Sequence, residues 1–470
     1  MTATTDRILV VGCGCFGVST AYHLLKRGYR NITLLDRSPE LPAPDAASND
    51  INRSTSNYVA LVDPATYASL LPPISMVVWL IVVRSSYPDK FYCDLTREAI
   101  SLWRNKAEWG DAYHESGVVV LGPRSPISSN DQHSPTNDED SYYAYGSYTN
   151  DLASGANVQL LESSDAIRSV FPEGIRTAAF EGQFAYLNKD GGWAFAGKGL
   201  QIMLRHVVEL GATVLPGKQV KGLVRDGSSG RTTGVDCYDG SKYEADLVIV
   251  ATGSWTPSAF PDLHLDESCL ATGQCVSMIQ LTAEEAAKYQ DCPVVLDFKS
   301  GFYVFPPNED NIVKMAIHSA GWVHPINGIS TPRTSSSDPE NGSAIPKAGL
   351  NELREQIRQV YPDLAEKPFS ATRLCWYNDS PDGDWVISKY PGDEGLVFAT
   401  AGSGHAFKFL PIIGSIVADL IEDKLAAPLV SKFAINRPTA GPDRSRQGQT
   451  RKLEIDQLCS AVDLAPTRAS

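Results

Sequence analysis

The sequence predicts an α/β architecture in two joined domains, one centred on a Rossmann-like sheet and the other on an antiparallel sheet. Three observations predict it. A glycine-rich turn sits between an apolar strand and a helix-like run at the N-terminus, a second glycine-rich stretch surrounds Gly402, and strands rich in β-branched and aromatic residues lie between them. At 470 residues with 43% apolar composition, the chain is too long for one compact core and has ample surface to bury in two.

Residues 7–11 (RILVV) form the first strand, followed by Gly12-Cys13-Gly14-Cys15-Phe16-Gly17 and the helix-like VSTAYHLLKRGY. In G-x-G-x-x-G the first glycine permits the tight turn and the second lets the backbone approach a pyrophosphate. The third brings helix against strand. A lone match is weak; strand and helix on either side raise it. The next strand, NITLLD, ends on Asp36, nineteen residues beyond Gly17, where a carboxylate can accept from ribose hydroxyls. The alternative for Asp36 is an acidic strand end that meets solvent. A further buried strand, ADLVIVATGSWTP, ends in a turn at Gly253; in FAD-binding two-domain folds such a strand returns to the same sheet, and that resemblance favours FAD over NAD.

Leu200, Met203, Leu204, Val207 and Leu210 recur close to a 3.6-residue period and predict an amphipathic helix that leads into a strand. VSMIQL, PVVLDF, GFYVFPP and IVKMAIH supply the antiparallel sheet, and 350–361 is a helix on it. Residues 123–153 and 321–347, rich in small polar residues, are expected to be surface loops. Strand GLVFATA, a glycine turn and a helix from about Pro411 return to the nucleotide site, aiming a helix N-terminus at it.

The net charge of −14 argues against a nucleic-acid partner. Nine cysteines without a CxxC pair indicate neither a disulfide framework nor a zinc site, so no metal is expected and a reducing compartment is the default. The N-terminus lacks a signal-like apolar run and the C-terminal TRAS is not an SKL-type address. Cytoplasm is therefore expected, with the peroxisome as alternative. No membrane association is expected, and a monomer is.

VVGCGCFG, PDAASNDINR, NKDGGW, ATGSWTP, FYVFPP with IVKMAIH, LCWYNDSPDGDW and GSGHAFKFLPIIG together resemble the covalent-flavin amine oxidases, over nearly the whole chain. That family includes monomeric sarcosine oxidase, fungal fructosyl amino acid oxidases and fungal saccharopine oxidases. The resemblance implies a two-domain FAD-dependent oxidoreductase fold. Residues 1–53, 82–110, 188–258 and 372–440 would form the FAD domain. Residues 111–187 and 259–371 would form the substrate domain, leaving 441–470 as a C-terminal tail.

By the same resemblance, Cys375 bonds through sulfur to the flavin; the bland alternative is a small buried thiol. Gly12, Gly14, Cys15, Phe16, Gly17, Asp36, Arg37, Ser48, Asn49, Gly253, Gly402, Gly404, His405, Phe407 and Lys408 fall in the cofactor-binding stretches. Lys314 corresponds to an oxygen-activating lysine, whose cation would stabilise charge developing on O2. Its rival role is a solvent-facing strand lysine. Tyr303 and His318 match substrate-pocket positions, Arg53 a basic position close to the flavin, and Arg84 and Lys408 a clamp for a substrate carboxylate. Core packing for the first pair and solvated surface charge for the rest are the competing readings.

The implied partners are an amine substrate and O2, the products an imine and H2O2. Deglycating relatives usually carry an acidic residue where this chain has His318, so a sugar adduct is disfavoured. The N-terminal third most resembles fungal oxidases of isoquinoline alkaloid pathways, which points to an N-substituted amino acid from secondary metabolism. Sarcosine, saccharopine and fructosyl amino acids are the alternatives within the family. A catalytically silent flavoprotein and an oxygen-excluding flavin dehydrogenase are the alternatives outside it.

One departure stands out. Arg53 is separated from VVRSSY by 28 residues, 54–81, that interrupt the family pattern. The apolar run at 70–83 contains Pro72 and Pro73 and is too short to span about 30 Å of hydrocarbon. A substrate lid or a translated in-frame intron remain, and the pattern closes when the segment is removed. A transcript that retains those codons would exclude the intron.

Overall fold

The computed structural model describes residues 2–47, 80–124, 139–439, 441–446 and 448–466. Ser48, Asn49, Arg53 and residues 54–79 of the expected insertion lie outside them, as do 125–138 of the expected loop.

Among the described residues, a six-stranded sheet forms the first layer, in the order Val386–Tyr390, Asp393–Thr400, Leu247–Val250, Arg7–Val11, Asn31–Leu35, Thr213–Leu215. All neighbours are parallel except the first pair. The helices Cys15–Lys26, Ala196–Glu209 and Ile413–Ile421 cover one face, burying Val18, Ala21, Leu200, Leu204, Ile413 and Val417 in a single apolar cluster. A three-stranded antiparallel sheet, Val220–Arg225, Thr232–Cys237 and Lys242–Glu244, covers the other, with Val235 packed among Leu9, Val248 and Phe398. With both faces buried, the central strands are apolar throughout rather than alternating.

The second layer is a ten-stranded, mostly antiparallel sheet. Its central strand, Leu270–Gln280, pairs with Ile312–Ile317 on one side and with Ala371–Asp379 along nine residue pairs on the other. Val294–Asp297 and Val118–Pro123 make a parallel exception. Alternation sets the two faces. Cys275, Val313, Met315, Leu374 and Trp376 point into a core under the helix Lys347–Arg358. Val276, Met278, Ala316 and Cys375 cluster on the opposite face.

The structure corrects the sequence reading at four places. Residues 372–379, expected in the FAD domain, belong to the large sheet as part of the strand Ala371–Asp379, because its partner strand Leu270–Gln280 holds it along its length. Residues 139–153, expected within a loop, form the helix Glu139–Ala153, because Tyr143, Ala144, Ser147 and Asp151 supply one buried face at helical spacing. Residues 441–446 and 448–466 are not a bare tail: Arg451–Lys452 adds a strand beside Trp322–Val323, and Leu453 and Cys459 enter the core. Finally, Leu80 and Ile81, the last residues of the expected insertion, pair with Phe195 and Ala194 in the same strand as Val82 and Val83. Among the described residues no helix is long and apolar enough to cross a membrane.

Candidate active site

One cavity of about 820 Å³ runs between the two sheets. Apart from Gly17, every described residue proposed for the site lines it: Gly12, Gly14, Cys15, Phe16, Asp36, Arg37, Arg84, Gly253, Tyr303, Lys314, His318, Cys375, Gly402, Gly404, His405, Phe407 and Lys408. Gly17 acts in packing instead, since a Cβ there would collide with the Gly12 carbonyl.

At one end, Gly12 turns with φ 109° and passes so close to Ala251 that no side chain fits. Asp36 accepts from the Cys13 and Ser38 backbone N–H groups, each at 2.8 Å. Burial raises its pKa, and those two N–H groups oppose the shift. Arg37 pairs with buried Asp45 and stacks 3.7 Å from the Trp255 ring centroid. The far glycine turn is strained, with Ala401 at φ 52° and Ser403 at φ 47°. Asn378 holds it: its Oδ1 accepts from the Ala401 N–H at 2.7 Å and its carbonyl from the Ser403 N–H at 2.9 Å. Asn378 Nδ2 is buried with no partner among the described residues.

In the middle, the cavity face of the large sheet carries Cys375, Tyr377, Lys314 and Tyr303. Cys375 is 9% exposed. Tyr303 Oη lies 3.4 Å from Tyr377 Oη, and burial pushes the Tyr303 hydroxyl up to about 12. Lys314, 8% exposed, donates from Nζ to the Leu80 carbonyl at 2.8 Å. Burial pulls its pKa down to about 7, opposed by Cys375. It is therefore not the solvent-facing strand lysine that periodicity also allowed.

At the other end, cations gather around one phenol. Lys408 donates from Nζ to Tyr87 Oη at 2.6 Å, and the Arg84 guanidinium sits 4.7 Å from the Tyr87 ring and 4.9 Å from that of Phe298. Both cations are buried, and burial, then Arg84, drives the Lys408 pKa well down. His405 bridges Tyr87 Oη at 3.1 Å and the Gly383 carbonyl at 3.0 Å. Burial, then Arg446, His405, Arg84 and Lys408, keeps His318 neutral. Two buried basic side chains that meet at Tyr87 fit an anionic group entering from the cavity.

Behind Arg84, Asp151 is fully buried and accepts from Ser85 Oγ at 2.5 Å, and from Ser86 Oγ, Tyr186 Oη and Asn188 Nδ2, each at 3.1 Å. These bonds fix the segment that carries Arg84. Asp151→Ala removes the shared acceptor of four buried donors, of which Asn188 Nδ2 keeps a bond to Ser85 Oγ, and is expected to lower unfolding stability by about 3 kcal/mol, measured by urea denaturation. An unchanged midpoint would contradict this role.

Sequence reasoning missed Tyr87, Tyr143, Trp255, Phe298, Asn378, Asp443 and Ser445. Asn378, Trp255, Tyr87 and Phe298 lie inside LCWYNDSPDGDW, ATGSWTP, VVRSSY and PVVLDF, whereas Tyr143, Asp443 and Ser445 had no local signal. Among the described residues no cluster of His, Cys, Asp or Glu could hold a metal, and all nine cysteines are buried and unpaired.

The glycine cradle, the acidic strand end and an elongated cavity between two sheets define a flavin-dependent oxidoreductase. The chain belongs to the FAD dependent oxidoreductase family, whose model matches residues 7–420. It is 30% identical over 432 residues to L-saccharopine oxidase of Schizosaccharomyces pombe, covering 88% of this chain and 89% of that one. It is 26% identical over 484 residues to the amino acid oxidase fsqB of Aspergillus fumigatus, covering 88% and 92%. A crystal structure of a modified fructosyl peptide oxidase from Aspergillus nidulans superposes with a TM-score of 0.78 at 26% identity, covering 98% and 99%.

The residues present fit FAD. The side-chain-free turn at Gly12, packed on Ala251, and the Asp36 carboxylate line the same cavity end, and Asn378 Nδ2 offers a buried donor without a partner among the described residues.

Proposed function

We propose that this protein is an FAD-dependent amine oxidase acting on an N-substituted amino acid, yielding an imine and H2O2. The observation that carries the reading is the buried pair Arg84 and Lys408 at the cavity end next to Lys314, Tyr303 and His318. FAD, when bound, would supply a two-electron acceptor for a hydride from the carbon beside nitrogen and a donor of those electrons to O2. Gly12, Gly14, Asp36, Arg37 and the turn at 401–404 would hold it, and the Cys375 thiol would be the sulfur of a thioether tether, the two electrons released in forming that bond going through the flavin to O2.

Arg84 and Lys408 bind the substrate carboxylate, with Tyr87 filling the space between them. The rings of Tyr87, Tyr143, Phe298, Tyr303 and Tyr377 surround the rest of the substrate. They favour an aromatic N-methyl amino acid of biosynthetic origin over a sugar adduct. His318, neutral, accepts from the amine, which must itself be neutral to lose hydride. Lys314 places an ammonium where charge builds on O2.

The test is a substrate screen on purified protein with sarcosine, saccharopine, fructosyl amino acids and N-methyl aromatic amino acids. The expected result is anaerobic bleaching of the flavin and, in air, one H2O2 per amine oxidised. A protein without flavin absorbance, or one that no N-substituted amino acid bleaches, would overturn the reading. Electrons delivered to an artificial acceptor without peroxide would identify a dehydrogenase. For the tether, FAD fluorescence is expected to stay with the protein band on a denaturing gel and to be lost in Cys375→Ala. Retention in that variant would exclude Cys375.

A further inference from the structure

A segment beyond the family-matched region enters the cavity. Ser445 and Asp443 both line it, and Ser445 Oγ lies 3.0 Å from His318 Nε2. The same hydroxyl donates to Asp443 Oδ1 at 2.6 Å, and the Ser445 backbone N–H donates to that oxygen at 2.9 Å. Asp443 Oδ2 forms an ion pair with Arg446 Nε at 3.0 Å, and the Arg446 guanidinium in turn grips Asp379 with both terminal nitrogens.

A serine hydroxyl has one proton. Here it goes to an ionised carboxylate, the shorter and stronger of the two bonds. Toward His318 the hydroxyl can then only accept, so the imidazole must donate from Nε2. Its lone pair is left on Nδ1, which has no hydrogen-bond partner among the described residues. The ring half-faces the cavity, 6.0 Å from the Tyr377 ring, with Arg446, Arg84 and Lys408 near it and the Asp443 carboxylate on the far side of the Ser445 hydroxyl. Burial first, and then these basic groups, disfavour the imidazolium, the one form with no acceptor.

We propose that Ser445 and Asp443 are positioning residues that lock His318 in the Nε2–H tautomer, so that Nδ1 accepts the N–H of the substrate amine. The use of that acceptor rests on the amine-oxidase reading; the tautomer does not. A neutral secondary amine has the N–H that Nδ1 needs, and a neutral tertiary amine lacks it. The site therefore selects N-methyl over N,N-dimethyl amino acids.

The test uses the full-length, FAD-loaded protein labelled with [15N]histidine, with His318→Gln to assign the signals. The expected spectrum shows His318 Nε2 as the protonated nitrogen and Nδ1 as the bare one. Ser445→Ala, and Asp443→Asn as a second variant of the same shape, are expected to mix the two tautomers, and Ser445→Thr to restore the lock. In parallel, kcat/KM for an N-methyl amino acid should fall roughly tenfold in Ser445→Ala, with its advantage over the N,N-dimethyl analogue lost and the O2 half-reaction unchanged. A wild-type His318 protonated on Nδ1, or an unaltered nitrogen pattern in both variants, would overturn the proposal. If no amine is oxidised, the functional reading fails and the nitrogen spectrum still decides the tautomer.

Discussion

Lys314→Met is expected to slow flavin reoxidation by O2 about 10²- to 10³-fold while changing anaerobic flavin reduction by less than about threefold. Lys314 has a buried position on the cavity face of the large sheet, with Nζ held on the Leu80 carbonyl. A fixed ammonium there costs little reorganisation when charge appears on O2, and methionine keeps the volume while removing the charge. Because burial pulls Lys314 down to about 7, the cation is present below that pH and lost above it. The reoxidation rate of the parent protein should therefore fall as pH rises through about 7, and that step should vanish in Lys314→Met. Stopped-flow traces of the two half-reactions measure both effects. Equal slowing of reduction and reoxidation would refute the role given to Lys314.

Arg84→Ala is expected to raise KM for an amino acid substrate roughly 10- to 100-fold with kcat changed by no more than a few fold. A charge-assisted bond to a carboxylate contributes about 1.5–3 kcal/mol, and the clamp sits away from the reacting carbon. The control is an amine of the same shape without the carboxylate, whose turnover the substitution should leave alone. Arg84→Lys should recover only part of the loss, since an ammonium cannot make the forked pair. A fall in kcat with KM unchanged would instead place Arg84 in the chemical step.

The amine end of the cavity is where sequence was least informative. Gly12, Asp36 and Gly253 could be found because a nucleotide cradle is local: a turn, a strand end and fixed spacing in one stretch of chain. Lys314 was half legible. Its neighbours Val313 and Met315 marked a buried strand, but strand periodicity alone left the exposed alternative open. Ser445 and Asp443 had no signal, because what brings them to His318 is the long-range pairing of Arg446 with Asp379. Residues 139–153 looked like loop because tyrosine, serine and asparagine are poor helix formers; the burial of Tyr143, Ala144 and Asp151 outweighs that propensity.

By itself, the sequence determined the α/β architecture, the glycine-rich turn after the first strand and the run of residues around Cys375, because each depends on short-range pattern. Only the tertiary structure decided which sheet carries Cys375, that Arg84 and Lys408 meet across Tyr87, and that residues 441–446 face the same cavity. Those contacts join residues dozens to hundreds of positions apart, and their energy comes from buried pairing and packing that no local pattern encodes.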